Sequence, residues 1–148
     1  MSTEESQRIG RIVVGIDGSP TALAALDWAA NMADTTGDSV EVIATWQFPT
    51  GYGAGPMFPA DYDPAGDATR LVREAIDTAR PHHPGVEFVP LVVEGHPTTV
   101  LVDASRGAEL LALGTRGHGE LGGLLLGSVT GHCVAHAHCP VLVLRDGD

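Results

Sequence analysis

Lysine is absent from this sequence: its eight basic residues are all arginines, set against nineteen acidic ones, for a formal net charge of −11. That absence excludes a Walker-type phosphate loop, whose lysine reaches the β- and γ-phosphates. Any phosphate site must therefore draw on backbone N–H groups, hydroxyls, arginine or a metal. The acidic surface repels phosphate backbones and anionic lipid, so neither nucleic acid nor a membrane is an expected partner. Long apolar runs are missing as well. No stretch approaches the ~18 residues of a membrane span, and the opening MSTEESQRIG has no apolar core of a secretory signal. A cytoplasmic location is the expectation. Cysteine is scarce, with only Cys133 and Cys139, too few for a disulfide framework.

What is present suits one domain over residues 1–148, with 1–10 as a flexible arm. At this length a core forms without disulfide or metal. Short apolar runs alternate with longer periodic ones. Ile12–Ile16 (IVVGI) reads as a strand buried on both faces. Ser19 and Pro20 then open a helix whose stripe is Ala22, Leu23, Leu26, Ala29, Ala30 and Ala33, and Gly37 closes it. Val40–Trp46 is the second strand. Gln47–Pro64 breaks the rhythm with seven Gly or Pro among its residues, a long loop that is either functional or a surface excursion.

From Ala68 to Ala79 the pattern is an amphipathic helix, stopped by Pro81 and Pro84. Val86–Val93 is the third strand, Pro97–Ser105 a short helix with Val100, Leu101 and Ala104 inward, and Leu110–Leu113 the fourth strand. Ser128–Ala137 is the last helix and Pro140–Leu144 the last strand. The order βαβαβαβαβ predicts an α/β fold, a doubly wound five-stranded parallel sheet with helices on both faces. Ligands of such sheets bind beyond the carboxyl ends of the strands.

The segment HCVAHAHC, His132 to Cys139, invites a metal reading, because a helix puts His132 and His136 on one face. The competing reading makes Cys133 a small core residue and the histidines exposed. Nothing elsewhere repeats a ligand pair at zinc-like spacing, and no metal site is assigned.

Chemistry concentrates between the fourth strand and the last helix, in GTRGHGELGGLLLGS (Gly114–Ser128). Glycines let backbone N–H groups converge on an anion, and a helix N-terminus adds more of them with a partial positive charge. Arg116 and His118 are the basic side chains of the loop. A strand-to-helix loop usually needs two to six residues, so mere turning does not explain its length. Asp17, just after the first strand, falls on the same sheet edge. No Gly-x-Ser-x-Gly elbow is present, and VVGIDGSP lacks the dinucleotide glycine fingerprint.

Gly114, Gly117, Gly127 and Ser128 stand at the spacing glycine–two residues–glycine–nine residues–glycine–serine. With VVGIDGS, EGHPTTVLVDAS, LALGTRGHG and CPVLVLR flanking it, the chain resembles the ATP-binding branch of the universal stress protein family along nearly its whole length. The resemblance implies a Rossmann-like fold of the adenine nucleotide alpha hydrolase type, strand order 3-2-1-4-5, with ATP as ligand and Mg2+ or Mn2+ accompanying it. It implies that Asp17 meets the adenosine and helps to hold the metal, with Gly15 allowing close approach and Trp46 packing near the adenine. Gly114, Thr115, Arg116, Gly117, His118 and Gly119 would wrap ribose and phosphates, and Gly127, Ser128 and Val129 would present main-chain groups and a hydroxyl. It further implies a homodimer through the last strand, Val141–Leu144.

The function so expected is a nucleotide-dependent regulatory module in stress response, with little or slow hydrolysis. Phosphoryl transfer needs a positioned base or water-orienting group, and no catalytic residue is assigned. The alternatives are AMP or cyclic AMP as ligand, a weak ATPase, and a structural dimer with an empty loop.

Overall fold

The computed structural model describes residues 10–48, 60–115 and 126–145. Its strands are β1 (Arg11–Gly15), β2 (Ser39–Trp46), β3 (Phe88–Glu94), β4 (Leu110–Gly114) and β5 (Val141–Leu144). The helices are α1 (Pro20–Thr36), α2 (Pro64–Ala79), α3 (Pro97–Ala104) and α4 (Ser128–His136), with a 3-10 turn at Arg80–His82. All pairings are parallel and the order is β3-β2-β1-β4-β5, as the resemblance implies.

Strand alternation divides the core in two. Ile12, Val14, Val40, Val42 and Ala112 face α1 and α2, while Val13, Ile43, Leu111 and Leu113 face Leu101 of α3 and Cys133 of α4. Ile12, Val13 and Val14 are wholly buried. Each such side chain contributes ~1.5–3 kcal/mol. Alanines at 22, 25, 29, 30 and 33 bring α1 close against the sheet. The expected inward Leu23 is instead 44% exposed and Ala25 takes the inner position: successive turns at 22, 26, 29 and 33 define the buried stripe, and Leu23 lies to one side of it.

Boundaries follow capping more than hydrophobicity. Ser19 accepts from the Ala22 N–H, Pro20 occupies the first turn, and Gly37 closes α1 in the left-handed region (φ 83°). α2 begins at Pro64, ahead of the expected Ala68, because the Asp63 carboxylate accepts from the Gly66 N–H. β3 starts at Phe88 and not at Val86, whose N–H already serves a turn to the His83 carbonyl. No helix among the described residues is long and apolar enough to cross a membrane.

The chain steps outward from β1 to β2 and β3, then crosses to β4 on the other side of β1. The carboxyl ends of β1 and β4 therefore flank the reversal point, where open sheets leave a crevice.

Candidate functional site

A cleft of about 570 Å3 occupies that crevice, within the ordinary range of small-molecule sites. The ends of β1, β2 and β4 form its floor, and the beginnings of α1, α2, α3 and α4 its rim. Gly15, Asp17, Trp46, Gly114, Gly127, Ser128 and Val129 all line it, so seven of the expected site residues come together. Thr115 follows directly at the end of β4, largely buried. Arg116, Gly117, His118 and Gly119 lie outside the described residues.

The two glycines of the β-strands have packing duties. A side chain at Gly15 would meet the tips of Leu101 and Leu113 at 3.0–3.1 Å. At Gly114 it would stand 2.3 Å from Thr21 Oγ1 and 2.7 Å from the Ala22 main-chain nitrogen. Gly114 is thus the point where β4 meets the start of α1 with no space for a Cβ.

The stems of the glycine-rich segment are tied together. The Gly127 N–H donates to the Thr115 carbonyl (2.8 Å), and the Thr130 hydroxyl donates to the Gly114 carbonyl (2.7 Å). Thr130 is buried and fixes the first turn of α4 on the end of β4. Since the Gly127 amide is used in this closure, the amides of Ser128, Val129 and Thr130 are those that intrahelical bonding leaves over. Side chains cap the other helix starts: Ser19 at α1, Asp63 at α2 and His96 at α3, each followed by proline. At α4 the cap residue is Gly127, which has no side chain to cap the terminus with.

Asp17 accepts from the Ser19 N–H at 2.9 Å, a turn that leads into α1. It lines the cleft from that turn. Across the cleft, Asp67 of α2 pairs with Arg70 one turn along. These two carboxylates are the charged side chains that line the cleft among the described residues.

At the far side Trp46, Phe48 and Tyr62 form an aromatic series, edge-on at 5.6 Å and tilted at 6.0 Å. Beside them lies a feature that no side-chain pattern announces. The Ile43 carbonyl accepts from Ile16 on the β1 side, whereas the Trp46 carbonyl accepts from Gly95 on the β3 side. Alternation turns the N–H and C=O of Thr45 toward β1, which ends at Gly15. Thr45 thus presents a main-chain donor and acceptor side by side at the cleft wall. Sequence reasoning did not find Thr45, Tyr62, Asp67 or Thr130. For Thr45 no residue-type signal exists, and Thr130 was hidden within the helix start.

The model of the universal stress protein family matches residues 8–145. Universal stress protein Rv2623 of Mycobacterium tuberculosis is 36% identical over 147 residues, covering 93% of this chain and 48% of its own length. Rv2624c of the same organism is 32% identical over 146 residues, covering 98% and 52%. The chain spans about half the length of the curated relatives it matches. Among solved structures, a universal stress protein in complex with cAMP is 27% identical, with a TM-score of 0.67 over 91% of this chain and 95% of that one. The universal stress protein UspA from Lactobacillus plantarum, at 21% identity, shares the fold with a TM-score of 0.73 over 93% and 99%.

Proposed function

The chain belongs to the universal stress protein family, and from that premise we propose that it is an adenine-nucleotide-binding module, with ATP as its ligand. The observation that carries this reading is the convergence on one cleft of the end of β1, the end of β4 and the α4 terminus, whose cap residue is a glycine. Amides of Ser128, Val129 and Thr130, with the Ser128 hydroxyl, would hold phosphate oxygens at the partially positive helix end. Gly127 closes the loop. The segment after Thr115, with Arg116, Gly117, His118 and Gly119, would wrap the ribose and phosphates from above. At the opposite end, the Thr45 N–H and C=O match the acceptor and amino group on the edge of adenine, and Trp46 supplies a ring beside the base.

Asp17 and the phosphates are both anionic, so a triphosphate here calls for a bridging cation. Mg2+ or Mn2+ fits the donor set of one carboxylate plus phosphate oxygens, with water completing the shell. Such an ion would screen phosphate charge; the residues present hold and orient the nucleotide. Asp17 is taken up by the cation and Asp67 by its pairing with Arg70, so the module is read as one of occupancy with little turnover. The module would act by changing conformation or partnership, in stress response, and as a homodimer through β5.

Cyclic AMP or AMP is the second reading. The cAMP complex of a 27% identical family member favours it, as does the acidic lining of Asp17 and Asp67, which accommodates one phosphate more readily than three.

Calorimetry with ATP, AMP and cyclic AMP distinguishes these readings. ATP binding in the presence of Mg2+ is expected, and Gly117→Glu is expected to abolish it while the circular dichroism spectrum stays unchanged. Equal affinity in that variant contradicts the site. Turnover at saturating Mg-ATP is expected far below the ~10 s⁻¹ of a typical enzyme; a rate at that level would make the protein an ATPase.

A further inference from the structure

The segment His132–Cys139 has no part in the cleft. Within α4, Cys133 is wholly buried, and Val129 and Ala137 pack beside it in the second core. His132 and His136 lie on the flank of the helix beside that buried stripe, one turn apart and both exposed, with ring centroids 4.4 Å apart and planes inclined at 39°. Imidazoles on an exposed helix face have room to diverge into water. These two are side by side, so that one ion can take a nitrogen from each ring.

The surroundings favour a cation. His136 lies in the last turn of α4, where terminal carbonyls carry partial negative charge, on a chain of formal charge −11. The Cys133 thiol is packed into the core, so thiolate is removed from the donor set. Imidazole alone suits borderline ions such as Cu2+, Ni2+ and Zn2+ over soft ones. Among the described residues no third His, Cys, Asp or Glu completes a cluster. A closed structural zinc site needs four protein ligands, so the chemistry here is that of an open, exchangeable site.

The geometry points to a bis-imidazole site for a divalent transition-metal ion on an exposed flank of α4, formed by His132 and His136 with water in the remaining positions. Cu2+ is held most tightly, as the Irving–Williams order requires. The site is separate from the nucleotide cleft and does not depend on it.

Titration of the purified chain with Cu2+, Ni2+ and Zn2+ in a non-coordinating buffer tests it. A saturable Cu2+ isotherm is expected, with nitrogen hyperfine structure in the electron paramagnetic resonance spectrum. That isotherm is lost in His132→Ala and in His136→Ala, and kept in His138→Ala. All three substituted positions are exposed, and thermal melting checks that the fold survives. An absent isotherm overturns the assignment, as does unchanged affinity in either variant or loss in His138→Ala alone.

Discussion

At Gly114 the space for a side chain is already filled by the start of α1, and the nearest obstacles include backbone. Backbone cannot rotate aside as a side-chain tip can. Gly114→Ala should therefore cost at least the ~1–3 kcal/mol of an overpacked core, read as a lower urea midpoint. Gly15→Ala meets only leucine tips and should cost less. Thr130 supplies a second test at this scale. Thr130→Val keeps the shape but leaves the Gly114 carbonyl without its buried donor, which should cost ~1–3 kcal/mol. It should also loosen α4 against β4 and so weaken nucleotide binding beyond the stability effect. Unchanged affinity at unchanged stability would show that the hydroxyl does neither job. These residues also mark the limits of the sequence: the glycine spacing located the loop, but not that Gly114 is needed by α1 or that the Gly127 amide is consumed in closing the loop.

Among the elements, strands and helices were legible wherever apolar runs and caps agreed, as in β1 and α1. They blurred where a cap acted without an apolar anchor. The first turn of α2, Pro64–Asp67, has no large apolar residue, so periodicity placed its start too late, and the cleft wall with Asp67 went unseen. One inter-element tie was equally silent. His83, buried after the 3-10 turn, meets Asp34 of α1 through Nδ1 at 2.8 Å and Asp27 through Nε2 at 3.0 Å. Both nitrogens can donate only in the imidazolium form. Hydrogen bonds to Asp27 and then Asp34 raise its pKa above the usual 6.5, outweighing burial, which lowers it. A folded value above the unfolded one gives stability that is fully present below about pH 6.5 and lost as pH rises through the folded value. Denaturant unfolding from about pH 6 to 9 should show that decline in the wild type, flattened in His83→Gln. A slope shared by both would exclude the clamp as its source.

For the whole molecule, the two open sheet edges differ. β3 carries Pro90 in mid-strand, which blunts an edge, whereas β5 reads VLVL without proline or charge. The carbonyls of Pro140 and Leu144 accept from Leu111 of β4 and from Thr115 just after it, so alternation turns the N–H of Val143 to the open side. Val143→Pro should remove that donor without touching the β4 ladder, and convert the proposed dimer to a monomer in sedimentation velocity; a monomeric wild type would contradict the dimer outright. The sheet order and the crevice at its reversal point were readable from strand and helix alternation with the family resemblance, but the chemistry of the crevice rests partly on main-chain groups, which no residue type encodes. That chemistry has one decisive measurement. Native mass spectrometry of the gently purified chain should show it carrying an adenine nucleotide. A chain that emerges empty, and stays empty when ATP, AMP or cyclic AMP is supplied, would contradict the account.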